Sequence, residues 1–311
     1  QLTYGLRMDM PLFFDRPAEN APFNEWAAQN GYSLKTNQKL SSATMWSPRV
    51  GFRWDLNNDH KFILRGGVGI FTGRIPFVWL SNSFSNTGIQ LSSYTARRSD
   101  KISLILDPNK QSENGRLLTA SSGNQLINVF DKDFKFSQNL RANLGVDFKL
   151  LGIDWTAEAI YSKTLNDVYY QNVAYTESGK TLADETGLYW DNRPMYERVT
   201  NGLPFNEIYV LKNTNKGYTY SLSLKADKSF ACGLDLSASY TFTQSKSISS
   251  ATSSQAQSNW RNTQTYRFSN SPELAYSAYN IPHMIKASVF YHFNIANSKM
   301  FTTTIGLIYQ G

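Results

Sequence analysis

The sequence predicts an all-β protein, an antiparallel β-barrel whose strands cross a membrane. Three observations predict it. Apolar and polar residues alternate along arms of about ten residues. Long and short connections follow one another in strict alternation. Aromatic residues stand beside the short turns, in the apolar phase of the strands.

Ser47 to Gly73 shows the alternation most plainly. Val50, Phe52, Trp54 and Leu56 alternate with Arg49, Gly51, Arg53 and Asp55. After the polar turn Asn57 to His60, the apolar phase resumes at Phe62, Leu64, Gly66, Val68 and Ile70. Period two on both sides of so short a turn predicts an antiparallel hairpin. Strands of soluble proteins run nearer five or six residues, whereas a tilted strand crossing a bilayer needs about nine to eleven. An apolar face opposite one bearing arginines is the lipid-out, water-in pattern of an outer-membrane barrel. A soluble sandwich would turn the same face inward, so one hairpin does not decide between them.

The rest of the chain repeats the pattern. Leu2, Tyr4, Leu6, Met8 and Met10 form the first apolar face, ended by Pro11. Leu12 to Trp46 reads as a loop leading into the hairpin, and Arg74 to Asp133 as a long irregular stretch with a short local strand at Ile102 to Leu106. Lys135 to Leu150 points Leu140, Ala142, Leu144, Val146 and Phe148 one way. It turns at Leu151-Gly152 and returns as Ile153, Trp155, Ala157, Ala159 and Tyr161. A loop from Gln171 to Asn215 separates this pair from Tyr218–Ala226 and Leu234–Phe242. A loop rich in Ser, Asn and Gln, Ser245 to Pro282, precedes the last pair, His283–Phe293 and Phe301–Gln310. The result is about nine strands with short turns at one end and long loops at the other, the asymmetry of outer-membrane barrels. Trp54 and Phe62, Phe148 and Trp155, and Phe293 and Phe301 flank three short turns and are expected to form an interfacial girdle in outer-membrane lipid.

Composition narrows the function. The net charge is +7, with Lys and Arg scattered among acidic residues, so nucleic acid is not an expected partner. The single cysteine, Cys232, excludes a disulfide framework and a cysteine zinc cage. Mean hydropathy is -0.42 and no long apolar run occurs, which excludes a helical span but not a barrel. The chain opens in mid-strand without a leader peptide and is expected to be an internal piece of a longer protein. His60, His283 and His292 lack metal-ligand spacing, His60 reading as a solvated turn residue, and the carboxylates are dispersed. No enzyme activity and no cofactor are expected. Gly66, Gly67, Gly69 and Gly73 lie within a strand and are read as relief for curvature or for a close backbone, not as a phosphate loop.

Three segments carry a family resemblance. LRMDMPLFFDRP (Leu6–Pro17), SPRVGFRWD (Ser47–Asp55) and LRGGVGIFTGRIPFVWLSNSFSNTG (Leu64–Gly88) resemble the barrel of TonB-dependent transporters of Bacteroidota, in particular the Oar-like subgroup with a carboxypeptidase-regulatory-like domain. Asp131–Phe148 and Lys212–Phe230 are similar to the same family. The resemblance implies a 22-stranded barrel of which residues 1–311 are one part, with the plug and the N-terminal domain outside this chain. It also implies partnership with the TonB–ExbB–ExbD motor through that plug, and transport of a scarce or bulky solute across the outer membrane. A passive porin and a β-rich surface adhesin stand as alternatives.

Two sets of site residues follow. The polar phase places Arg53, Asp55, Asp147, Lys149, Asp154, Lys225, Asp227 and Asp235 near the short turns, and Arg141 farther along its strand, where they would line the lumen or contact a plug, or simply pair with one another. The long loops carry Phe77, Trp79, Asn82, Tyr189, Trp190, Tyr196, Trp260, Arg261 and Tyr266, the candidates for contact with the transported ligand, since recognition concentrates on loops held by a rigid scaffold. Packing of the loops against one another is the competing role for each.

Overall fold

The computed structural model describes residues 1–91, 105–110, 125–200, 203, 205–263, 265, 268–271, 273–294 and 302–311. The strands in chain order are β1 (Leu2–Asp9), β2 (Met45–Asp55), β3 (Phe62–Thr72), β4 (Gln125–Phe130), β5 (Gln138–Leu150), β6 (Ile153–Asn172) and β7 (Tyr175–Thr181). They continue with β8 (Pro194–Arg198), β9 (Phe205–Thr214), β10 (Tyr218–Ser229), β11 (Leu234–Ser247), β12 (Ala275–Tyr276), β13 (His283–Asn294) and β14 (Thr302–Gln310). Four helices are described: α1 (Ala21–Gln29), α2 (Phe77–Ser85), α3 (Leu182–Thr186) and α4 (Ala256–Arg261).

The main path of the large sheet runs β1-β2-β3-β5-β6-β10-β11-β13-β14, every neighbour antiparallel. These are the strands expected from alternation. The sheet does not close on itself, since β1 and β14 each have one neighbour. Two-residue turns are possible where the backbone accepts left-handed φ. Leu150 pairs Ile153 across Leu151 (φ 56°) and Gly152 (φ 68°), the conformation of a hairpin turn that matches strand twist.

Register fixes the two faces, because residues directly opposite in a ladder share a side. Leu2, Phe52, Gly66, Leu144, Ala159, Leu222, Phe242 and His283 form one such row, and all stand in the apolar phase. The row through Asp55, Ile63, Asp147, Thr156, Lys225, Ser239 and Lys286 closes the first hairpin. The later hairpins run past it, to Leu150, Ser229 and Asn294. The strands are therefore staggered, as tilted barrel strands must be, and a given row climbs away from the short-turn side on going from β2 to β14.

The loops differ from expectation. The Leu12–Trp46 segment contains α1 and the start of β2, the Arg74–Asp133 stretch contains α2 and β4, and Ser245–Pro282 contains the end of β11, α4 and β12. In the apolar run Ile102–Leu106, Ile105 and Leu106 are not in a strand and the first three residues lie outside the described ones. The largest difference is at Gln171–Asn215, which holds β7, β8, α3 and β9. Here β6 continues beyond the barrel wall, and its end, Asp167–Asn172, pairs β9, which in turn pairs β4 in parallel.

These elements build a cap at the long-loop end, and the buried core sits there. One cluster gathers Leu40, Met45, Phe130, Phe134, Tyr170, Tyr209 and Trp260, and a second gathers Phe23, Trp26, Ile127, Val129, Phe205 and Ile208. Among the described strands of the wall, Ile63 is buried, whereas outward residues such as Leu2, Tyr4, Trp54, Leu144, Leu222 and Leu307 are exposed. A wall one strand thick has no interior of its own. Its apolar face needs a cover from outside the sheet, which for the wall of a membrane barrel is lipid.

Candidate functional site in the lumenal wall and the cap

The lumenal face is charged and mostly self-paired. Arg65, in the lumenal phase of β3, donates through Nε to Asp147 Oδ2 at 3.1 Å and through Nη1 to Glu158 Oε1 at 2.8 Å. Thr156 Oγ1 donates to the other Asp147 oxygen at 2.9 Å. The guanidinium reaches two strands only because Gly145 lies under it, where a Cβ would stand 2.9 Å from Arg65 Cζ. Lys149 pairs Asp154 at 3.3 Å and Lys225 pairs Asp227 at 2.9 Å. Asp55 turns toward the hairpin loop, where its Oδ2 lies 2.6 Å from His60 Nδ1 and accepts the His60 backbone N–H at 3.2 Å. His60, expected to be merely solvated, is therefore held by its turn.

Arg53 and Arg141 have no carboxylate partner among the described residues, and neither does Arg49. Arg53 stands directly opposite Arg65, whose charge is already committed to Asp147 and Glu158. Arg49 and Arg141 occupy one row on either side of Gly69. The Arg49 stem lies over Gly69 and its guanidinium sits 4.4 Å from the centre of the Phe71 ring. A concavity of about 610 Å³ opens here, lined by Gly5, Gly51, Gly67, Gly69, Arg141 and Asn143 among others. The glycines thus make room for side chains of the neighbouring strand: Phe52 over Gly66 on the outer face, Arg49 over Gly69 on the inner one. Backbone of the neighbouring strands is close at both positions as well, with the Asn143 carbonyl 2.8 Å from the place of a Gly66 Cβ and the Pro48 carbonyl 3.2 Å from that of Gly69.

On the outer face, Phe148 and Trp155 stack at 6.4 Å beside their turn, and Trp54 and Phe62 are exposed beside theirs. Phe293 stacks on Tyr291 at 5.7 Å, and Phe301 lies outside the described residues.

The cap is organised by Glu207, a buried carboxylate on β9. Arg198 donates to its Oε1 at 2.9 Å, Tyr209 OH to Oε2 at 3.1 Å and Tyr175 OH to Oε1 at 3.3 Å; the Asn172 amide donates to Oε2 as well. Burial, followed by the Glu207 charge, pushes the Tyr209 phenol well above its ordinary value. Burial does the same at Tyr170. Trp260 stacks on Tyr175 at 6.0 Å and donates to Asn270 Oδ1 at 2.7 Å, and Asn270 in turn donates to the Asn172 carbonyl at 2.7 Å. Arg261 approaches Glu207 at 3.9 Å, and Tyr196 stacks on Phe268.

The loop candidates divide accordingly. Trp79 donates to the Ser253 carbonyl at 2.8 Å and Asn82 to the Ser254 carbonyl at 2.7 Å, which ties α2 to the loop before α4. Phe77 meets Phe136 edge-on while remaining exposed. Tyr189 and Trp190, 88% and 67% exposed, project beyond α3 at the tip of the β7–β8 unit. Tyr266 lies outside the described residues. Sequence reading singled out Trp260 and Arg261 beside Glu207, but not Arg65, nor Glu207 itself with Arg198, Tyr175 and Tyr209. Arg65 was detectable, since it occupies the same polar phase as Arg53, whereas Arg198 and Glu207 sit in a segment without periodicity.

Comparison with curated proteins finds no match. Among solved structures, the siderophore receptor PirA from Pseudomonas aeruginosa is similar at 12% identity and TM-score 0.40, over 89% of this chain and 35% of that one. The outer membrane transporter YddB from Escherichia coli is similar at 14% identity and TM-score 0.45, over 80% of this chain and 27% of that one. OmpF of Salmonella typhi is similar at 10% identity and TM-score 0.31, over 100% of this chain and 57% of that one. The chain thus spans about a third of the length of PirA and about a quarter of YddB. The outer membrane beta barrel domain family matches residues 2–310, the whole staggered wall together with its cap. The chain belongs to that family, and its place is the Gram-negative outer membrane.

Proposed function

We propose that this chain is a stretch of the barrel of a TonB-dependent transporter, of the Oar-like Bacteroidota kind that its motifs resemble. Residues 1–311 are then one part of a single barrel domain of 22 strands, with a plug and a regulatory-like domain carried elsewhere in the protein. The activity is energy-coupled movement of a scarce or bulky solute, driven by the TonB–ExbB–ExbD motor acting on the plug.

The observation that carries this reading is the set of lumenal arginines, Arg49, Arg53 and Arg141, that have no carboxylate partner among the described residues. Like charges on neighbouring strands repel, and an acidic plug surface against the wall offsets them. The cap supports the reading too: it is a packed scaffold that carries Tyr189 and Trp190 outward, with Phe77 at its edge. Under this proposal these three make contact with ligand, while Trp79, Asn82, Tyr196, Trp260 and Arg261 hold the scaffold.

The same arginines favour a second reading, an open pore that passes anions. Planar-bilayer conductance of the full-length protein separates the two. A plugged transporter gives no steady current. A steady, anion-selective current would overturn the transporter reading.

A further inference from the structure

Helix α2 turns one face to an unfilled space in the cap. Phe77, Leu80, Ser81 and Phe84 recur every three or four residues and so lie on one side of the helix. Together with Phe13, Asp15 and Leu40 from the segment after β1, and Phe130 at the end of β4, they line a cavity of about 190 Å³. The helix cannot roll to close it, because Trp79 and Asn82 tie it to the Ser253 and Ser254 carbonyls.

The apolar walls are set before anything enters. The buried Phe136 ring meets Phe13 at 6.3 Å and Phe77 at 6.4 Å, edge-on to both. Leu40, Leu80 and Phe130 are buried members of the cap's core. Interiors are close-packed, and an apolar void leaves its walls short of contacts that a ring would supply. A cavity of about 150 Å³ lined by such residues accepts benzene, so this one takes a single ring or a branched chain of like size.

The polar side chains that line this cavity are acceptors. Asp15 is exposed, and its carboxylate has neither a hydrogen bond nor an ion pair among the described residues. Ser81 Oγ gives its proton to the Val78 carbonyl at 3.0 Å, which leaves the oxygen to accept. No lysine, arginine, histidine or amide side chain lines the space; Arg16 and Lys39, the sequence neighbours of Asp15 and Leu40, are not among its walls. A carboxylate without a cation, beside apolar walls, selects a ligand that brings the cation with it.

We infer that this cavity binds a ring-sized apolar group carrying a primary ammonium, the ring among Phe13, Phe77, Phe84 and Phe130 and the ammonium at Asp15 and Ser81. The inference rests on the ligand-contact role given to Phe77 above, and it supplies the chemistry of the part of the ligand held there. An anionic solute would meet an unpaired carboxylate at this place, and a neutral one would leave that carboxylate without a partner.

The test uses the full-length protein folded in amphipol, with phenethylamine as the probe and ligand-detected saturation-transfer NMR as the readout. At neutral pH phenethylamine should bind more tightly than phenethyl alcohol, and phenylpropionate least. An ion pair with an exposed carboxylate is worth up to about fivefold in affinity, so Asp15→Asn should weaken the amine by about that factor and leave the alcohol unchanged. Ser81→Phe should fill the cavity and remove binding of amine and alcohol alike. Both positions are exposed, and heat-modifiable gel migration checks that each variant is folded. Should Ser81→Phe not assemble, Asp15→Asn alone decides. Displacement of the amine by phenylalanylglycine would identify a peptide N-terminus as the source of this chemistry, and amine binding that resists the dipeptide would identify a free amine. No binding of the amine, equal binding of phenylpropionate, or amine binding unchanged in Asp15→Asn or in folded Ser81→Phe would overturn the inference. No motor or plug enters these equilibria, so their failure is separate from the conductance result that decides the transporter reading.

Discussion

Arg65 ties three strands together through two carboxylates, Asp147 on β5 and Glu158 on β6. Its removal leaves both acids without their cation on a wall that is only half wet. Arg65→Ala should therefore lower stability by about 1–2 kcal/mol, the lower part of the range for charge-assisted bonds because lumenal water screens them. The urea midpoint of the refolded protein measures this. Gly145→Val keeps every charge and should produce a similar loss, because its Cβ occupies the place of the guanidinium. A Gly145→Val midpoint equal to wild type would contradict the geometry.

Two carboxylates of the cap titrate in a direction that can also be read. The Thr181 backbone N–H holds Asp184 below its ordinary value of 3.8, and the Arg193 guanidinium does the same for Asp191. A group whose folded pKa is depressed stabilises above its unfolded pKa and loses that contribution as pH falls through the folded value. Hydrogen exchange in β7 and β8, corrected for intrinsic rate, should hold steady down to about pH 4 and accelerate below it. Uniform protection down to pH 2 would show that neither acid supports this unit.

Among the elements, the wall was legible in the sequence and the cap was not, for a physical reason. A wall strand meets lipid on one side and water on the other, so its residues must alternate; β5 and β10 announce themselves in this way. β9 has Ile208, Tyr209, Val210 and Leu211 all buried, and β4 has Ile127, Asn128, Val129 and Phe130 all buried. A strand covered on both faces loses its period of two, and such short runs pass for loop. The helices are equally faint: α1 depends on the Asn20 side chain accepting the Phe23 N–H at 3.0 Å, and α3 is a five-residue turn with a capping box. Of the candidate residues, the lumenal phase was readable by parity alone, whereas the grouping around Glu207 depends on contacts between loops far apart in sequence. Leu144, in the middle of β5, tests the outward phase. Leu144→Arg should impair membrane assembly by about 2–4 kcal/mol if the position lies near mid-bilayer, read as the folded fraction in outer-membrane extracts. Assembly at the wild-type level would contradict the outward placement.

The whole molecule is a staggered wall with a core displaced to one end. Burial gathers in the cap because the wall has lipid where a soluble sheet would have a second layer, and the exposed outward residues from Leu2 on β1 to Tyr309 on β14 form one continuous face. That face is what makes the chain a membrane protein, and it can be measured one residue at a time. Single cysteines placed from Leu140 to Phe148 in a Cys232→Ser background of the full-length protein, carrying an environment-sensitive label in bilayers, report lipid or water at each step. Leu140, Ala142, Leu144, Val146 and Phe148 should respond to a lipid-soluble quencher, and Arg141, Asn143, Gly145 and Asp147 to a water-soluble one. Loss of that alternation, or labels at the even positions that report a dry protein core, would contradict the assignment of β5 to the wall of a membrane barrel.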